Sequence, residues 1–138
     1  MNIDSIKNGV VIDHIKAGQA MEIYQFLELD KLDCPIAIIK NATSLRMGKK
    51  DIIKVDTEAP LHLEALGYID PYVTVNVIKN GVKVDKYHPG LPERIVNIVK
   101  CKNPRCITST EQELAHIFRL TDPEQHTYRC IYCDSKAK

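Results

Sequence analysis

Apolar residues along this chain come in short bursts whose spacing alternates between two periods. Val10-Val11-Ile12 predicts a buried strand, closed by the polar pair Asp13-His14. Ala20, Ile23, Tyr24 and Leu27 then recur at helical spacing behind Gly18 and fade into Asp30-Lys31. Residues 35–39 predict a second apolar strand, and residues 51–55 a third beyond a polar turn over 44–50. A second helix is expected over 58–69, with Leu61, Leu63, Leu66 and Ile69 as its apolar positions and Pro60 in its first turn. Residues 73–78 are rich in β-branched side chains and predict a strand. Asn80-Gly81 offers a tight turn into Val82-Lys83-Val84.

The order strand, helix, strand, strand, helix, strand, with one added hairpin strand, is the split βαβ plan. It predicts an α+β, ferredoxin-like βαββαβ domain with both helices on one sheet face. The other face stays open to a ligand, and the sheet edges to a partner. Two prolines and a glycine in residues 88–92 predict an extended connector and a boundary there, giving domains 1–92 and 93–138. The second domain is expected to start with a short helix or extended lead-in at 93–99 and to hold strands near 115–120 and 127–129. It is too small to bury enough apolar surface alone.

Its cysteines change that picture. Cys101 and Cys106 form one thiol loop, Cys130 and Cys133 another, with twenty-three residues between them. Two such loops supply the four soft ligands that tetrahedral zinc prefers. Buried or disulfide-paired thiols are the alternative, a weak one where no secretory leader is seen. A closed four-cysteine site leaves no position for substrate, so one structural Zn2+ is expected, acting as a folding staple. Cys34, in an apolar stretch, is expected to be a small core residue.

Composition narrows the function classes. A hydrophobic fraction of 44% is ordinary for a globular chain, and no apolar run approaches a membrane span. The cytoplasm is the expected compartment. The formal charge of +1 becomes about −1 once four thiolates and a zinc ion are counted, so there is no global field for gripping nucleic acid. Arg105, Lys102 and Arg129 around the cysteines keep a zinc-ribbon nucleic-acid-binding protein as the alternative, although low aromatic content and the lack of Trp count against base stacking.

No phosphate loop, nucleophile elbow or HExxH motif is present, so catalysis is not expected. Asp13 and His14 are adjacent, but successive strand side chains point to opposite faces, and a strand-end turn with a solvated Asp is the simpler reading. Lys50 and Lys54 share one face of the third strand with Ile52 between them, while Asp51, Ile53 and Val55 point the other way. Two ammonium groups around an apolar patch suit an anionic ligand with a flat base, although spacing alone favours solvated lysines. His14 and Lys86 would join them if the first and last strands were neighbours. His62, His88, His116 and His126 have no ligand-like spacing.

Taken together, Ile3-Asp-Ser-Ile-Lys-Asn-Gly9, Val11-Ile-Asp-His-Ile15, Met47-Gly-Lys-Lys-Asp-Ile-Ile-Lys54, Thr74-Val-Asn-Val-Ile78, Leu91-Pro-Glu-Arg-Ile95 and the two cysteine pairs resemble the regulatory chain of aspartate carbamoyltransferase, an enzyme of pyrimidine biosynthesis. The resemblance spans essentially the whole chain. It implies a non-catalytic subunit with a nucleotide-binding allosteric domain and a zinc domain that docks on the catalytic chain. It also implies a homodimer through the allosteric domain, with CTP, UTP or ATP as effectors and no role for membrane or nucleic acid. Carried over by position, the nucleotide site comprises Ile3, Asp4, Ile6, Val11, Asp13, His14, Lys50, Lys54, Asn76, Ile78 and Lys86, and the metal ligands are Cys101, Cys106, Cys130 and Cys133. The resemblance thus assigns Lys50 and Lys54 to a ligand, where spacing alone leaves them to solvent. Gly81 and Lys83 depart from the family pattern, in which a bulky and a small apolar residue are usual.

Overall fold

The computed structural model describes residues 7–58, 61 and 63–137. They fall into two compact units divided between Gly90 and Leu91. None of the helices among the described residues is long and apolar enough to cross a membrane.

The first unit is a five-stranded antiparallel sheet: β1 (Gly9–Lys16), β2 (Ile36–Ser44), β3 (Gly48–Val55), β4 (Thr74–Lys79) and β5 (Val82–Tyr87), in the order β2-β3-β1-β4-β5. Helices α1 (Ala20–Phe26) and α2 (Glu64–Ile69) are the crossovers. This is the βαββαβ order expected, with β5 added beside β4. The core lies between sheet and helices: Ile12, Ile53, Val55 and Val75 from the strands meet Ala20, Ile23 and Leu66 from the helices, all completely or nearly completely buried. Burial at this depth is worth roughly 1.5–3 kcal/mol for each large side chain. Phe26 and Tyr68 stack with ring centroids 6.3 Å apart and so link the two helices.

Alternation puts Ile12, Ile53 and Val75 in one cross-sheet row facing the helices. The next residues, Lys54, Val11, Asn76 and Lys86, form the row on the open face. Two bulges then break the alternation. Residues Asp13-His14 of β1 and Lys40-Asn41 of β2 each insert an extra residue opposite β3. His14 and Asn41 adopt positive φ, 58° and 60°. Without the first bulge Ile15 would point away from the core; with it, Ile15 is fully buried.

What holds the β2 bulge is Asp51, fully buried on β3. Its carboxylate accepts main-chain N–H bonds from Asn41 at 2.9 Å, Gly18 at 2.9 Å and Ala20 at 3.2 Å. The residue before α1, Gln19, makes no capping bond, so Asp51 serves that helix as a cap reaching across from the sheet.

Several expectations are corrected here. β1 does not end at Asp13-His14 but continues to Lys16 through the bulge. The second helix does not start at residue 58: it begins at Glu64, and Glu58 lies in irregular chain. Residue 62 falls outside the described residues. Cys34 is a partly exposed loop residue before β2, not a core residue.

In the second unit, β6 (Arg94–Val96), β7 (Ile117–Asp122) and β8 (Thr127–Cys130) form an antiparallel sheet in that order. The lead-in at 93–99 is thus a strand, and a helix without a sequence signal, α3 (Ile107–Thr110), follows Cys106. Ile95, Phe118 and Tyr128 are the large buried side chains, so the apolar core is small.

Burial raises the Asp51 carboxyl's pKa, but the three N–H donors and Lys40 outweigh it and hold the value below the ordinary 3.8. The stabilisation is therefore complete above that value and lost as pH falls through the depressed one. Asp51→Asn is expected to lower the stability of the first unit by about 2–4 kcal/mol in urea denaturation. It should also flatten the acid limb of the stability curve while leaving zinc content unchanged.

Candidate metal centre and ligand-binding face

Each cysteine is delivered by a different local device. Cys101 follows β6, and Cys106 ends the Asn103-Pro104-Arg105 turn, whose Asn103 carbonyl accepts the Cys106 N–H at 3.0 Å. Cys130 ends β8, and a turn closed by the Asp134 N–H on the Cys130 carbonyl, 2.9 Å, brings Cys133 back beside it. The β7–β8 hairpin thus carries the second loop to the first.

The four Sγ atoms lie within 4.8 Å of one another. The separation is 3.5 Å for Cys101–Cys133 and 3.7 Å for Cys106–Cys130. A disulfide needs about 2.0 Å. A tetrahedron with zinc–sulfur bonds of about 2.3 Å has edges of about 3.8 Å. The donor set therefore fits one tetrahedral zinc ion, which would join β6, α3 and the β7–β8 hairpin without offering a reactive position.

The surroundings prepare unequal thiols. Burial pushes Cys101 up to about 12 and raises Cys130 as well. Burial also raises Cys133, but the Ser135 hydroxyl and N–H, with Asn103 and Cys101, more than reverse it and bring the thiol down to about 6. The Thr108 hydroxyl donates to Cys106 Sγ at 3.0 Å, and His116 Nδ1 accepts the Cys101 N–H at 3.1 Å. Neither supporting residue shows in cysteine spacing. Arg129 is occupied within this unit, donating to the Asp134 carbonyl at 2.9 Å.

The first unit holds a second site on the open sheet face. A cavity of about 400 Å³ is lined by Val11, Asp13, Ile52, Lys54, Asn76, Ile78, Gly81 and Lys83. Five of these, Val11, Asp13, Lys54, Asn76 and Ile78, are residues that the family resemblance assigns to the nucleotide site. Ile3, Asp4 and Ile6 lie outside the described residues. Lys50 binds Asp13 at 2.9 Å, with side chains 17% and 23% exposed, so neither is the solvated residue that spacing favoured. The first bulge places Asp13 and His14 on one face after all: His14 Nδ1 lies 2.9 Å from Thr74 Oγ1, and Thr74 is the cross-strand partner of Asp13. Lys86 does not neighbour β1; it sits one strand further out, opposite Asn76.

Burial raises Asp13, but the Lys50 ammonium and the His14 N–H outweigh it and keep the carboxyl below its ordinary value. Burial lowers His14, and the charges of Lys50, Arg46 and Lys86 push it the same way against Asp13. That end of the face is thus cationic, and Arg46 on the β2–β3 turn is a member that sequence spacing missed. Asn76 donates to the Val11 carbonyl at 3.4 Å, while its own Oδ1 is buried and finds no partner among the described residues. Ile52, Gly81 and Lys83 complete the lining.

Comparison with known proteins agrees with this geometry. Residues 1–89 match the family model described as aspartate carbamoyltransferase regulatory chain, allosteric domain. Residues 93–138 match that family's metal binding domain. A Clostridium botulinum aspartate carbamoyltransferase regulatory chain is 48% identical over 134 residues, covering 97% of this chain and 92% of its own length. The Clostridium acetobutylicum protein of that name is 47% identical over the same shares. That of Bifidobacterium longum is 41% identical over 138 residues, covering 100% of this chain and 99% of its own. With an allosteric domain, a metal-binding domain and full-length relatives all in agreement, the chain belongs to the family of aspartate carbamoyltransferase regulatory chains, the non-catalytic subunits of that enzyme.

Proposed function

We propose that the chain senses nucleotides in its first domain, residues 1–92, and anchors to the catalytic chain through its second, residues 93–138. The observation that carries the proposal is the convergence of Val11, Asp13, Lys54, Asn76 and Ile78 on one cavity, with Lys50 and His14 at its margin. An apolar floor suits a base, and the cations at the His14 end suit a polyphosphate. CTP, UTP or ATP would occupy it and shift the holoenzyme between states to the extent that the two states differ in affinity.

Pairing of two allosteric domains would form a dimer, linking catalytic trimers in the cytoplasmic enzyme. In the second domain, Ile107 and Tyr132 are 50% and 44% exposed and directly follow or precede the metal ligands Cys106 and Cys133. Apolar side chains held outward by the metal loops suit a protein interface.

Titration calorimetry of the zinc-loaded chain with CTP and ATP tests the sensor. Saturable binding is expected, weakened at least about tenfold in the Lys50→Ala/Lys54→Ala variant through loss of charge-assisted bonds. Absence of binding by folded protein, or binding indifferent to both lysines, sinks it.

Zinc tests the anchor separately. Cys130→Ala is expected to abolish stoichiometric zinc, unfold the second unit and release the catalytic chain in size-exclusion chromatography. Retention of the catalytic chain by the metal-free variant contradicts the anchoring role.

A further inference from the structure

The ligand-binding cavity has two chemically different ends. At the His14 end lie Lys50, Arg46 and Lys86, all acting on the same imidazole. At the other end the Asn80-Gly81 turn brings in β5, and Lys83 lines the cavity beside Gly81. Between them Val11, Ile52 and Ile78 supply the apolar floor.

Lys83 reaches that position through a third bulge. Asn76 pairs with Lys86 and Val77 with Asp85, but Ile78 pairs with Lys83 because β5 carries an extra residue. In unbroken register Val84 would stand opposite Ile78. The bulge therefore exchanges an apolar side chain for an ammonium on the cavity face, the kind of re-aiming that bulges perform. Lys83 makes no ion pair among the described residues. At Gly81, a Cβ would meet nothing within 4 Å, so this end is roomy as well as charged.

We propose that Lys83 is a specificity-determining residue of the cavity, donating to an oxo oxygen on the edge of a nucleobase farthest from its sugar. The inference rests on reading the cavity as a nucleotide site. With the polyphosphate drawn to the His14 end, the base extends over the apolar floor and presents its far edge to Lys83. An ammonium is only a donor. It complements the far-edge oxo group of uracil or guanine and opposes the amino group that cytosine or adenine carries at the corresponding position.

The test is calorimetry of the full zinc-loaded chain with two pairs of triphosphates, UTP against CTP and GTP against ATP, each pair carrying an oxo group against an amino group on that edge. In the wild type the oxo member of each pair should bind about tenfold more tightly, the weight of one charge-assisted bond. Lys83→Met should bring both ratios close to one, weakening the oxo members without weakening the amino members, and Lys83→Arg should retain them. Lys83 is exposed on an edge strand, and unchanged circular dichroism and zinc content confirm that the variants fold. Wild-type ratios near one overturn the proposal. So does an equal loss for all four ligands in Lys83→Met, which would reduce Lys83 to a general contribution to the field. Failure of every nucleotide to bind instead overturns the nucleotide site itself, and this inference with it.

Discussion

One buried carboxylate sets the geometry of the allosteric domain. Asp51 gathers N–H groups from the β2 bulge and from the start of α1, so a single side chain fixes one strand and a helix against β3. Its neighbours Lys50 and Ile52 point the opposite way, toward the open sheet face. Structural anchoring and the cavity-facing side thus alternate along one strand. Because the anchoring side is completely buried, the positions on the ligand side inherit its rigidity.

The second unit solves the stability problem differently. Its core of Ile95, Phe118 and Tyr128 is too small to set three strands and a short helix by itself. Four sulfur atoms held at tetrahedral separations replace the missing apolar area with bonds to one ion. A domain organised in this way has a surface fixed by the metal, which is why residues beside its ligands can be both apolar and exposed.

Local period and spacing made much of this legible in the sequence. The two-residue alternation placed Lys50, Ile52 and Lys54 together, and cysteine spacing alone marked the metal centre. The start of the second helix was harder to see. Helical spacing behind Gly18 placed α1 from Ala20, whereas leucines over 61–66 imply a longer second helix than the chain forms. The bulges at His14, Asn41 and Val84 were invisible because each depends on a partner strand. Spacing therefore separated Asp13 from His14, where the fold unites them. Assigning nucleotide contacts to Asn76 and Lys86 came from family resemblance, since no local pattern distinguishes them from ordinary strand residues.

The Asn80-Gly81 turn has a support that lies far away in sequence. Both residues adopt positive φ, 52° and 77°, as a two-residue hairpin turn requires. Asn80 donates its N–H to Asn8 Oδ1 at 3.1 Å, and Gly81 donates to the Lys7 carbonyl at 2.9 Å. The stretch entering β1 therefore works as a clasp on one wall of the cavity. Anything that pulls on that stretch, whether a fused tag or a neighbouring subunit, is mechanically connected to the cavity without touching it.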